Sequence, residues 1–93
     1  DIIGEDLITA LIETGALIQV GEDVLLQPEV YQEMHDAVIN HIRTKGEITL
    51  GELRDKFQTS RKYAVAVLEY LDQAGITIRR GDKRVLRRSN SLD

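Results

Sequence analysis

The chain has 93 residues, 42% of them hydrophobic, no cysteine and a formal net charge of −4. That is room for one ordinary domain or two very small ones, because a 60-residue unit buries only ~60% of its unfolded surface. Lack of cysteine excludes a disulfide framework and a thiolate metal site. No apolar run reaches the ~20 residues of a membrane helix, and the amino end lacks a signal-peptide layout. The expectation is a soluble, cytoplasmic, monomeric protein with no membrane contact, and the start at Asp1, partway into a helical pattern, reads as a fragment of something larger.

The elements follow in chain order. Residues from about Gly4 to Thr14 read as the end of an amphipathic helix, and Gly15 suits the left-handed position that stops it. A hairpin then carries Leu17, Val20, Val24 and Leu25, with Gly21-Glu22 as a two-residue turn. Pro28 precedes a helix from Glu29 to about Lys45, whose apolar face is Val30, Met34, Ala37, Val38 and Ile42. Gly46 ends it. Glu47-Ile48-Thr49 is too short for an independent strand and is expected to pair with a hairpin edge. Thr49 and Glu52 have capping-box spacing and open a short helix with Leu53 and Phe57 inward. After the turn at Gln58-Thr59, Thr59 or Ser60 caps a helix to about Ala74, buried along Ala64, Val67, Leu68 and Leu71. A second hairpin, 76–80 and 83–88, turns at Gly81-Asp82 and is expected to face the core with Ile78, Val85 and Leu86.

The two hairpins share one frame. At an offset of sixty, Leu11, Gly15, Ile18, Gly21 and Leu26 fall on Leu71, Gly75, Ile78, Gly81 and Leu86. Helix, short strand, helix, turn, helix and two-stranded hairpin is the order of a winged helix. The fold class is therefore mainly α with small β-hairpins, as tandem winged-helix units. Residues 1–27 are the last helix and wing of a truncated first unit, 28–89 a complete unit, and 90–93 a disordered tail.

Charge separates the copies. Residues 1–58 hold four Lys or Arg and twelve Asp or Glu, whereas 59–93 hold eight and four. Such segregation points to a polyanion at one end of the chain. One cluster opens the last helix: Thr59, Ser60, Arg61, Lys62 and Tyr63, where free N–H groups and the helix dipole already favour phosphate. The other is the wing: Arg79, Arg80, Lys83, Arg84 and Arg87, expected to lie in water because Asp82 is the only acid within this segment. Composition leaves three readings: an RNA reader, a DNA-binding winged helix of a transcription regulator, and a protein-interaction or spacer module. Positive charge at the helix tip and wing, with Glu69 and Asp72 further along the helix, suits a compact bulged RNA hairpin better than a DNA major groove.

The string Ser60-Arg61-Lys62, Leu68-Glu69-Tyr70-Leu71-Asp72, Gly75 and Thr77 through Leu86 resembles the last winged helix of the bacterial selenocysteine-specific translation elongation factors. The match spans about residues 57–88, and 1–56 agrees in layout. The resemblance implies a tandem winged-helix array that binds the selenocysteine insertion hairpin of messenger RNA and meets the ribosome indirectly, through the full-length factor. It implies that Ser60, Arg61, Lys62, Arg79, Arg80, Lys83 and Arg84 touch the loop and its phosphates. The family's GTPase and transfer-RNA-binding domains are expected to be absent, so GTP would be bound elsewhere and this chain would hold no cofactor and no enzymatic activity; no phosphate-loop motif occurs. Arg80-Gly81-Asp82 reads as turn chemistry, His35 and His41 are too far apart for a helical metal pair, and Ser60 has no His–acid partner.

Overall fold

The computed structural model describes residues 2–87; the expected tail at 90–93 and Arg88 lie outside them. The order is α1 (Ile2–Glu13), β1 (Ile18–Gly21), β2 (Val24–Leu26), α2 (Pro28–Lys45), β3 (Ile48–Thr49), α3 (Leu50–Phe57), α4 (Arg61–Gln73), β4 (Thr77–Arg80) and β5 (Lys83–Leu86).

Local chemistry sets the helix limits. Pro28 stands in the first turn of α2, where its missing N–H costs nothing. Gly46 ends the helix at φ 93°, returning its N–H to the Ile42 carbonyl. The capping box of α3 is complete: Thr49 Oγ1 accepts from Glu52 N, and a Glu52 carboxylate oxygen accepts from Thr49 N. Ser60 Oγ accepts from Tyr63 N and opens α4.

β1 and β2 form one antiparallel ribbon, and a second sheet runs β3-β5-β4. The expected pairing of the short strand is present, Ile48 facing Arg84 and Thr49 facing Lys83. One core joins Val20, Val24 and Leu26 of the first hairpin to Met34, Val38, Ile42, Ile48 and Leu53, and to Ala64, Ala66, Val67, Leu68 and Leu71 of α4. The apolar stripe expected for α4 did not include Ala66. Ala66 is buried because the first hairpin packs on that side: a Cβ at Gly21 would come within 3.1 Å of the Ala66 Cβ.

Four expectations are corrected. Gly21 does not begin the first turn; it pairs with Val24 inside the ribbon after an irregularity past Gln19, and the turn is Glu22-Asp23. Its role is close approach to Ala66 rather than a positive φ. The second turn is Gly81-Asp82 as expected, with Gly81 at φ 65°. Val30, one turn into α2, is exposed while Met34, Val38 and Ile42 are buried. The strands of the second hairpin are shorter than expected, 77–80 and 83–86. Finally, Ile78 does not face the core. It is 39% exposed, and its neighbour Thr77 is buried instead.

Candidate nucleic-acid interface

The register of the wing sorts its cations between two faces. Thr77 pairs with Leu86 and Arg79 with Arg84, while Ile78 pairs with Val85 and Arg80 with Lys83. Directly paired residues share a face of a pleated sheet. Thr77, Arg79, Arg84 and Leu86 therefore line the face that carries buried Ile48 of β3. Ile78, Arg80, Lys83 and Val85 line the opposite face.

Arg84 overturns the expectation that every wing cation lies in water. It is 6% exposed. Its Nε and Nη2 donate to Asp72 Oδ2 at 3.2 and 2.9 Å, from the last turn of α4. Thr77 Oγ1 donates to the other Asp72 oxygen at 2.6 Å. A buried guanidinium is tolerable only with such a partner, and the partner stands twelve residues upstream, outside the wing. Lys83 is also engaged: its Nζ lies 2.9 Å from Glu47 Oε2 on the outer face. The hydrogen bond and then the charge of Glu47 raise the Lys83 pKa above its ordinary value.

Of the cations expected at the site, Arg61 and Lys62 at the tip of α4, Arg79 and Arg80 on β4, and Arg87 are exposed without a short ion pair of this kind among the described residues. Lys62 Nζ lies 3.9 Å from Asp23 on the first turn, a contact between two exposed groups. Arg87 stands apart. Its Nη1 would lie 3.4 Å from a Cβ on Gly75, beyond the far end of α4, and thirteen helical residues span about 20 Å. Of the ten residues expected to form one surface, Thr59 is half-buried, Ser60 is engaged as the cap, and Tyr63 is partly exposed beside it.

Arg61 and Arg79 are brought together. They line one groove of about 270 Å³ between α4 and the wing. Its apolar lining is Leu50, Val65 and Leu68, and Glu69 and Asp82 add carboxylates. Arg79 Nε donates to the Gly81 carbonyl at 2.8 Å, which sets its guanidinium over the wing turn. The groove thus offers a flat donor fork at two sites, an apolar surface and acceptors, a combination able to hold phosphate and an unstacked base. A larger hollow of about 380 Å³ lies between the first hairpin and α4. Its charged residues are Glu22 and Glu69, so it repels phosphate. Leu50, Val65 and Asp72 were not among the expected site residues; the first two read as ordinary helix positions, and Asp72 acts across twelve residues.

The comparisons agree with the winged-helix fold. The family model described as "Elongation factor SelB, winged helix" matches residues 40–86. A selenocysteine-specific elongation factor of Desulfomicrobium baculatum is 37% identical over 78 residues, 84% of this chain and 12% of that protein. One from Haemophilus influenzae is 39% identical over 49 residues, 53% of this chain and 8% of that protein. The chain thus spans about a tenth of the curated relatives it matches. Among solved structures, the mRNA-binding domain of E. coli SelB in complex with SECIS RNA superposes with a TM-score of 0.77. It is 25% identical, over 87% of this chain and 67% of that one. A bacterial selenocysteine-specific elongation factor, EF-Sec, gives 0.73 at 24% identity, over 90% of this chain and 14% of that one, a likeness of fold. The chain belongs to the winged-helix family of elongation factor SelB.

Proposed function

We propose that this chain is the module by which a selenocysteine-specific elongation factor holds a bulged selenocysteine insertion hairpin in messenger RNA. The observation that carries the reading is the meeting of Arg61 and Arg79 in one apolar-lined groove, within a fold shared with the SECIS-bound domain of E. coli SelB. On this reading residues 28–89 are the RNA-binding unit, and 1–27 are the last helix and wing of a preceding unit, docked on it. The module binds without catalysing; GTP is held, and the ribosome met, through other parts of a longer cytoplasmic factor. The module itself acts as a monomer and needs no cofactor.

Arg61 and Arg79 are the leading contacts. Ser60, Lys62 and Tyr63 flank Arg61, Arg80 supplies a phosphate contact from the outer face, and Lys83 adds one alongside Glu47. Arg84 supports the wing.

The test is a titration of bulged RNA hairpins and of duplex DNA of equal length, across a salt series. The hairpin should bind in preference, and its affinity should fall as salt rises. Replacing Arg61 and Arg79 together by alanine should cost ~1–3 kcal/mol for each, with thermal stability little changed. Unaltered binding by that variant would remove the groove from the site. A preference for the duplex would make the module a DNA reader.

A further inference from the structure

We infer that Asp72 is a positioning residue, which locks both strands of the wing to α4 and so sets the span between Arg61 and Arg79 across the groove. The inference rests on the RNA-binding reading above and concerns a residue outside the groove lining.

Thr77 and Arg84 are the two buried polar side chains among the described residues. They stand on different strands, β4 and β5, and both donate to the one Asp72 carboxylate. Bonds from two strands to one helical residue fix how the ribbon is rolled about its own axis as well as where it sits. Arg61 is at the opposite end of the same rigid helix. The distance from Arg61 to Arg79 therefore depends on the angle between α4 and the wing, and Asp72 holds that angle.

The charge pattern agrees. Arg79 and Arg84 are direct cross-strand neighbours, and like charges in that relation repel. Asp72 neutralises Arg84, so Arg79 is relieved of the repulsion and lies over the turn with its Nε on the Gly81 carbonyl. Without Asp72, Arg84 would be a buried cation seeking water or a new acceptor, and Glu69 and Asp82 line the groove that it borders. Arg84 would then compete with the ligand for the groove's own space.

The experiment compares the intact chain with Asp72→Asn, which keeps the shape and an acceptor for Thr77 but removes the charge. A second variant, Asp72→Asn with Arg84→Met, also removes the buried cation and keeps the fold testable should the single change unfold it. Hydrogen exchange of the free proteins over residues 77–86 reads the wing. Binding of a bulged hairpin, with and without Arg79→Ala, reads the span.

Both variants should exchange faster at 77–86 and bind the hairpin roughly tenfold more weakly per folded molecule. In the Arg79→Ala background the Asp72→Asn loss should largely vanish, because a misplaced Arg79 and a missing one are equivalent. A role in stability alone would lower the melting temperature and leave that cycle additive, overturning the inference. So would binding by the double variant within about twofold of the intact chain. If the intact chain binds no hairpin, the RNA reading falls. Exchange at 77–86 then decides alone: faster exchange in Asp72→Asn sustains the lock, and unchanged exchange sinks it.

Discussion

Val24 in the first hairpin and Arg84 in the second occupy matching places sixty residues apart, and both are buried. Val24 is buried by packing alone, within the core that runs from α2 to α4. Arg84 is buried only through Asp72, which matches Ile12 of the first copy. The preceding strands differ in the opposite sense. Ile18 and Val20 are the less exposed positions of β1, whereas in β4 the residues on the core-side face are Thr77, which is buried, and Arg79, which is exposed. A slip of one residue exchanges the faces of a strand, and the two hairpins are one residue out of step: Ile18 pairs with Leu26, whereas Ile78 pairs with Val85 rather than Leu86. One frame thus yields an apolar ribbon packed on its neighbour and a ribbon that keeps its cations. The first supports the fold by packing, and the second is the one that the proposed function uses.

Substitution of one apolar side chain in each hairpin should expose that contrast most strongly. Val24→Ala, at 2% exposure, should destabilise the chain by about 1.5–3 kcal/mol. Ile78→Ala should change stability by less than about 0.5 kcal/mol, since much of that side chain is already in water. Denaturant unfolding of the two variants is the measurement, and equal losses would break the distinction between the hairpins. A second, similar effect tests the docking itself. Gly21→Val should cost about 1–3 kcal/mol, because its first carbon already meets Ala66 at 3.1 Å. Hairpin affinity per folded molecule should stay unchanged, as Gly21 lies away from the Arg61–Arg79 groove. A loss of RNA binding with intact stability would mean that the first hairpin takes part in recognition.

What could be read from sequence was local. Pro28, Gly46, the Thr49–Glu52 pair and Ser60 marked the helix ends because each acts on backbone within four residues. The pairing of Ile48 with the wing was also legible, because so short a strand needs a partner. The inward face of the wing was not. Alternation leaves two choices, and apolar preference selects Ile78; the polar face is inside because Asp72 stands ready to accept from Thr77 and Arg84. The charge split pointed to the residues after Thr59, yet did not distinguish Arg79, exposed over the groove, from its buried cross-strand neighbour Arg84. Gly21 matched Gly81 in sequence, but its surroundings were set by Ala66, forty-five positions later, and no local pattern carries that.

The smallest effect concerns the joint between α3 and the wing. Thr49 both caps α3 and pairs with Lys83, so the capping box anchors β3 beside the second hairpin, and among the described residues the first hairpin has no such anchor strand. The N–H of Thr49 holds the Glu52 carboxyl below the usual glutamate range against the opposing effect of burial, with a lesser contribution from the nearby His41 ring. A carboxyl with a lowered folded-state value binds protons less readily folded than unfolded. Its contribution is therefore full above the ordinary glutamate range and disappears as pH falls through the lowered value. Glu52→Gln keeps an acceptor for Thr49 N and removes only the charge. Its loss of stability at neutral pH should be about 0.3–1 kcal/mol, the size expected for a carboxylate in the first turn of a helix. Unfolding curves for both proteins should converge as the buffer becomes strongly acidic. A gap that persists in acid would mean that Glu52 serves through shape rather than charge. Thr49 and its pairing with β5 would then owe nothing to electrostatics.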